Sequence, residues 1–198
     1  MSSSRSSKPF NARHLDVARF AAEQGRLSGA ASLADFPRLA ADAVAQAIAA
    51  EAPVAVDWTA QGQMRRDAAL DDGVARPALW LRAQTRLPLT CQRCLQPVWT
   101  EIAVDRHFLF APDEAQAAQL DEHAEDDVLA LSHSFDLHGL IEDELLLALP
   151  LVPRHDVCPH ALPLSVQDAD FDAAGTEQPH PFAALAALKP PKSPKAHG

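Results

Sequence analysis

Residues 79–110 read LWLRAQTRLPLTCQRCLQPVWTEIAVDRHFLF. Leu79, Leu81, Ala83, Thr85, Leu87 and Leu89 share one parity, and Trp80, Arg82, Gln84, Arg86 and Thr90 hold the other. After a short interruption, Val98, Ile102, Val104, Phe108 and Phe110 repeat the pattern against Glu101, Asp105 and His107. Successive strand side chains point to opposite faces, so each segment carries one apolar and one polar face. Two such segments joined by Cys91-Gln92-Arg93-Cys94-Leu95-Gln96-Pro97 are most simply an antiparallel hairpin. The pattern predicts an α+β protein with an antiparallel sheet of four or more strands around a long central hairpin.

Working outward, Val54, Val56 and Trp58 alternate with Ala55 and Asp57, as in a half-buried strand. Met64 to Leu70 is a weaker strand candidate, and Asp71-Asp72-Gly73 signals a turn. Upstream, Asp35 to Glu51 reads as a helix: Asp35 caps it, Pro37 suits its first turn, and Leu39, Val44, Ala47 and Ile48 form the buried stripe. Downstream, the acid-rich stretch Ala111 to Asp127 reads as a solvated loop or frayed helix. Then FDLHGLIEDELLLALP, residues 135–150, predicts a second main helix from Asp136 to Leu149. Asp136 caps it, Pro150 ends it, and Leu137, Leu140, Ile141, Glu144 or Leu145, and Ala148 share a face. Leu146, Leu147 and Leu149 widen the apolar arc, which predicts packing on the sheet, with Glu142 and Asp143 left outside.

The organisation that follows is a disordered start at 1–9, one α+β domain at 10–165, and a flexible tail at 166–198. Within the tail, Pro181 to Lys189 places Phe182, Leu185 and Leu188 at a spacing of three, a short amphipathic helix. It reads either as a segment docked on the body of the protein or as a handle for a partner.

Of 198 residues, 17 are Lys or Arg and 27 are Asp or Glu, for a formal net charge of −10, with 47% apolar residues to fill a core. Bulk electrostatic attraction to nucleic acid is excluded, because neutralising phosphates needs surplus cations. A local basic patch is not. The longest charge-free apolar run, Leu145 to Pro153, is about half the ~18 residues of a membrane span. Three cysteines and a polar MSSSRSSKPF start fit a reducing, cytoplasmic setting.

The informative chemistry is Cys91-x-x-Cys94 in the hairpin turn and His155-x-x-Cys158 beyond the second helix. A tetrahedral zinc site takes four N or S ligands, commonly as two short pairs from separate segments. Zn2+ on Cys91, Cys94, His155 and Cys158 would tie the hairpin tip to the later segment, with His160 an alternative fourth ligand. Plain unmetallated thiols and a redox-active dithiol are the other readings. The redox reading lacks the helix N-terminus that normally lowers a thiol pKa. There is no glycine-rich phosphate loop, nucleophile elbow or HExxH, so no enzyme is expected. Glu142 and Asp143 read as the wet face of a helix rather than an acid–base pair. Arg82 and Arg86 share a strand face with Trp80 and Gln84, and Arg93 lies in the turn. Such a face is either solvated or a surface for RNA.

The order CQRCLQPV, then DLHGLIEDELLLALPLVPRHDVC, then PFAALAALK resembles the YceD family, the large ribosomal RNA subunit accumulation proteins. The resemblance spans about Phe10 to Lys189. It maps the family's cysteine pair, acidic helix and following LP-x-x-P-x-H onto Cys91, Cys94, Glu142, Asp143, Glu144, Pro150, Pro153 and His155, with the later cysteine at Cys158. Some members carry a second cysteine pair where this chain has His155 and Cys158. The resemblance implies a role in synthesis, processing or stability of 23S ribosomal RNA during bacterial large-subunit assembly. The expectation is a non-catalytic factor whose partner is ribosomal RNA or a large-subunit assembly protein, with no small-molecule substrate. Its contacts would be Arg82, Arg86, Arg93, Phe182, Leu185 and Leu188. A thiol oxidoreductase using Cys91 and Cys94, and a chaperone for a basic ribosomal protein using the acidic stretch, are the alternatives.

Overall fold

Asp16 accepts a hydrogen bond from the Arg19 amide (3.0 Å) and so caps a short first helix, α1 (Val17–Ala22). The structure is a computed structural model describing residues 9–50, 53–70 and 72–160. The expected disorder at 1–8 and the tail with Phe182, Leu185 and Leu188 lie outside those residues. After α1 come strand β1 (Arg26–Ser32), a 3-10 turn (Leu33–Asp35), and helices α2 (Pro37–Asp42) and α3 (Ala45–Ala50). Strands β2 (Ala55–Arg65), β3 (Arg76–Thr90) and β4 (Pro97–Ala111) follow, then α4 (Glu114–Asp121), β5 (Asp127–Ala130) and α5 (Leu137–Leu147).

The sheet runs in sequence order, β1-β2-β3-β4-β5. The first four strands form an antiparallel meander, and β5 joins β4 in parallel after the α4 crossover. The predicted hairpin is β3–β4, with Leu79 opposite Phe108, Ala83 opposite Val104 and Leu89 opposite Val98. Its apolar parity is buried from Leu79 to Leu89, under a cluster that includes Phe20, Leu39, Leu137, Ile141 and Leu145. Helix α1 lies so close to β2 that a Cβ on Gly62 would stand 2.6 Å from the Phe20 carbonyl oxygen. On the opposite face, a smaller cluster of Ala78, Leu109, Ala111, Ala117 and Val128 seats α4. The remainder of that face is open.

The single helix expected from Asp35 to Glu51 is interrupted. Val44 gives its amide to the Pro88 carbonyl of β3 (2.8 Å), and Ala43 turns extended, so α2 stops and α3 starts afresh. Ser32 caps the 3-10 turn instead, and Asp35, its third residue, accepts from the Ser32 amide to close a reciprocal box. The weak strand predicted for Met64 to Leu70 ends at Arg65. Beyond it, the buried Asp67 carboxylate collects the Ala69 and Glu125 amides (2.8 and 3.1 Å), which serves the loop rather than a ladder.

Helix α5 matches expectation, with Asp136 accepting from the Gly139 amide (3.1 Å) and Leu137, Ile141 and Leu145 buried. One of its acidic residues does not. Glu142, expected outside, is only 6% exposed, while Glu144, placed with the apolar face, is buried there. The cause lies in α2, whose N-cap residue is Phe36, with no side-chain oxygen to offer. Glu142 supplies the cap from across the core, accepting from the Arg38 and Leu39 amides (2.7 and 3.2 Å) and from Arg38 Nε (3.0 Å). Asp143, exposed as expected, completes the fork on Arg38 (2.6 Å). Burial pushes the Glu144 carboxyl up. Leu147, expected on the apolar arc, is 79% exposed because it lies one turn along from the exposed Asp143, on the solvent side of the helix, while Leu146 and Leu149 pack on the core.

Glu142→Ala is expected to destabilise the fold by about 2–3 kcal/mol in urea unfolding, because it strips a cap and leaves backbone amides unpaired. Asp143→Asn, at an exposed ion pair, should cost about 1 kcal/mol or less. His138 stacks on Phe36 (5.5 Å) and meets Trp58 edge-on (5.6 Å), and burial, with Arg13 nearby, lowers its pKa from 6.5. Below pH 6.5 the unfolded chain binds a proton that the folded one resists, so stability should fall with acidification. His138→Phe is expected to flatten that slope in chemical denaturation followed from pH 7 down to 5.

Candidate metal centre

The turn between β3 and β4 is tight for its six residues, Cys91 to Gln96. Cys91 N–H donates to the Gln96 carbonyl (3.0 Å) and Leu95 N–H to the Cys91 carbonyl (2.9 Å). Closing it holds Leu95 in the left-handed region at φ 59°, an uncommon and costly conformation for a branched side chain. The segment after α5 then folds back onto this tip. Gln92 N–H donates to the Pro153 carbonyl (2.8 Å), fixing the two stretches in register.

That contact brings together all four residues singled out from the sequence. The sulfurs of Cys91, Cys94 and Cys158 and a ring nitrogen of His155 all lie within 4.8 Å of one another. All three cysteines are free thiols. His155 Nε2 stands 3.0 Å from the Pro97 carbonyl, which can only accept, so Nε2 carries the proton. Its Nδ1 is left with a lone pair, 3.4 Å from Cys94 Sγ. Ligands of a tetrahedral zinc ion stand about 3.5–3.8 Å apart, given Zn–S near 2.3 Å and Zn–N near 2.0 Å. The donor set and spacing therefore fit such an ion, and the Pro97 carbonyl supplies the outer partner that orients a ligating imidazole. His160, the alternative ligand, is exposed and outside the group.

The thiols are not equivalent. Burial pushes the Cys91 thiol up, but the amides of His155, Arg93 and Cys94, together with the His155 side chain, outweigh it and bring it to about 5. Burial and the neighbouring Cys94 thiol push Cys158 up, with Arg93 pulling the other way. Cys91 is wholly buried, and no helix begins at either member of the pair.

The arginines divide. Arg82 lies over Trp80 (4.0 Å to the ring centre) and pairs with Asp105 (3.0 Å), which also accepts from Trp80 Nε1 (2.6 Å). Trp80 in turn stacks on His107 (5.4 Å). Arg86 covers Trp99 (5.0 Å). Neither Arg86 nor the turn residue Arg93 has a carboxylate partner among the described residues. Between the Arg82 and Arg86 rows the open sheet face forms a shallow trough of about 710 Å³, lined by Ser28, Asp57, Thr59, Gln84 and Asp105 among others. No sequence signal separated Arg82 from Arg86, and the register does not either, since Asp105 stands opposite the first and Glu101 opposite the second; Arg82 pairs with its acid, whereas Arg86 lies over Trp99.

Fold and site define a class: an α+β protein whose distinctive chemistry is a Cys3His group closing a β-hairpin onto a helix exit. Residues 79–189 match the family of large ribosomal RNA subunit accumulation protein YceD, and this chain belongs to that family. It is similar to the large ribosomal RNA subunit accumulation protein YceD of Haemophilus influenzae, with 36% identity over 113 residues. The match covers 54% of this chain and 63% of that relative, less than two thirds of its length. No solved structure matches. No helix among the described residues is long and apolar enough to cross a membrane.

Proposed function

We propose that this chain is a non-catalytic, cytoplasmic factor in large-subunit biogenesis, acting on the synthesis, processing or stability of 23S ribosomal RNA. The observation that carries this reading is the family match, which runs through the hairpin, the Cys3His group and α5 together. In this reading the group holds Zn2+ through Cys91, Cys94, His155 and Cys158. The ion neutralises the thiolates and staples the tip, and performs no reaction. The partner is ribosomal RNA or a large-subunit assembly protein. Arg93 at the tip and Arg86 on the open face are cations left available to it, Arg82 stiffens the same face through Asp105, and Phe182, Leu185 and Leu188 complete the contact set. A protein of net charge −10 recognises such a target by local shape and charge rather than by bulk attraction.

Purified protein should carry one zinc per chain by mass spectrometry, and Cys91→Ser or Cys94→Ser should lose it. Chelation should lower the thermal midpoint while the far-ultraviolet signal of the sheet persists, because none of the four ligand residues belongs to the main core cluster. Protein isolated without metal would refute the staple. Deleting the gene should lower mature 23S relative to 16S ribosomal RNA, measured by quantitative primer extension. An unchanged ratio would refute the biogenesis role.

A further inference from the structure

Seven large apolar side chains stand exposed among the described residues. Met64 and Val74 are at the far end of the hairpin, each about half exposed. Leu147 (79%) lines a groove with Ala103 to Arg106, midway along β4. The other four sit at the clasp: Leu95 (72%), Leu151 (100%), Val152 (60%) and Val157 (85%). Single exposed aliphatics need no explanation, but four on two stretches distant in sequence and pinned together are a surface. The pinning is tight, since Gln92 bonds Pro153 and the Cys3His atoms lie within 4.8 Å of one another. Leu95 is also the residue held at φ 59°, so backbone strain accompanies its projection into solvent.

The charge at this end runs against that of the chain. Arg93 and Arg154 are exposed and have no carboxylate partner among the described residues, while Asp156 is the one acid between Pro150 and His160. Several arginines elsewhere are paired, as Arg38 is with Glu142 and Asp143, Arg65 with Asp126, and Arg106 with Asp127, whereas Arg86 lies over Trp99. We infer that the clasp end docks a protein partner, through an apolar segment of it flanked by carboxylates. Aliphatic side chains bury against an apolar partner, and the unpaired arginines take up the carboxylates at its rim. RNA is the poorer occupant, because unpaired bases are held by aromatic or planar platforms and this end exposes branched aliphatics. A second copy is disfavoured by mutual repulsion of two chains of charge −10. The inference rests on the biogenesis reading and narrows its partner from RNA or protein to protein.

The test is photo-crosslinking in the native host, with p-benzoylphenylalanine replacing Leu151 or Val157 in the full chain and Met64 as the control position. Positions 151 and 157 are expected to give an adduct to one and the same protein, resistant to RNase, mapping by mass spectrometry to an apolar segment flanked by Asp or Glu. The double variant Arg93→Glu, Arg154→Glu, exposed and remote from the core, should weaken that adduct about tenfold or more. An RNase-sensitive adduct, an adduct to the chain itself, or yields no higher than at Met64 would overturn the inference. The ribosomal RNA ratio in the deletion strain separates the two failures. A lowered ratio with no protein adduct removes the docking surface alone, whereas an unchanged ratio removes the biogenesis reading on which it rests.

Discussion

The arrangement of the functional end depends on one constraint: the hairpin tip and the chain leaving α5 must occupy the same small volume. The β3–β4 ladder carries the turn past Leu89 and Val98, the last members of the main core on the two strands, and of the turn residues only Cys91 is fully buried. Backbone bonds across the turn, the Gln92–Pro153 bond and the four converging donors hold it there. The result is a stiff projection built largely from polar contacts and sulfur. Its surface residues keep fixed positions even though few of them are buried.

A second long-range contact holds the middle of α5. Glu142 leaves its own helix to cap α2, and Arg38 from α2 reaches back to Glu142 and Asp143. This reciprocal exchange locks α2 and α5 in one relative orientation, which apolar packing between two short helices would leave loose. It also gives a structural meaning to the acidic run of the family motif. Glu142 caps, Asp143 braces, and Glu144 is buried near Arg106. None of the three needs a catalytic role to account for its position.

Much of this was legible in the chain. The hairpin announced itself because burial of a single face imposes a period of two over fifteen-residue strands. Helix α5 announced itself by its cap and its leucines, and the metal-binding spacing by two short Cys/His pairs. Strand β1 did not, because RLSGAAS at a sheet edge is small and weakly patterned, with Leu27 and Ala31 the two residues that are not fully exposed. Strand β5 is four residues following an acidic run, too short for periodicity. The break after α2 and the burial of Glu142 were out of reach for a different reason. Each is decided by a partner far along the chain, Pro88 in one case and the α2 amides in the other, and local pattern contains no trace of them.

The clasp also has a temporal side. A polypeptide emerges from the N-terminus onward, so the meander through β4 can pair before His155 and Cys158 have been synthesised. For that interval Cys91 and Cys94 stand at an unfastened tip, open to solvent, oxidants and any available cation. Sealing the tip therefore has to await the stretch that follows α5.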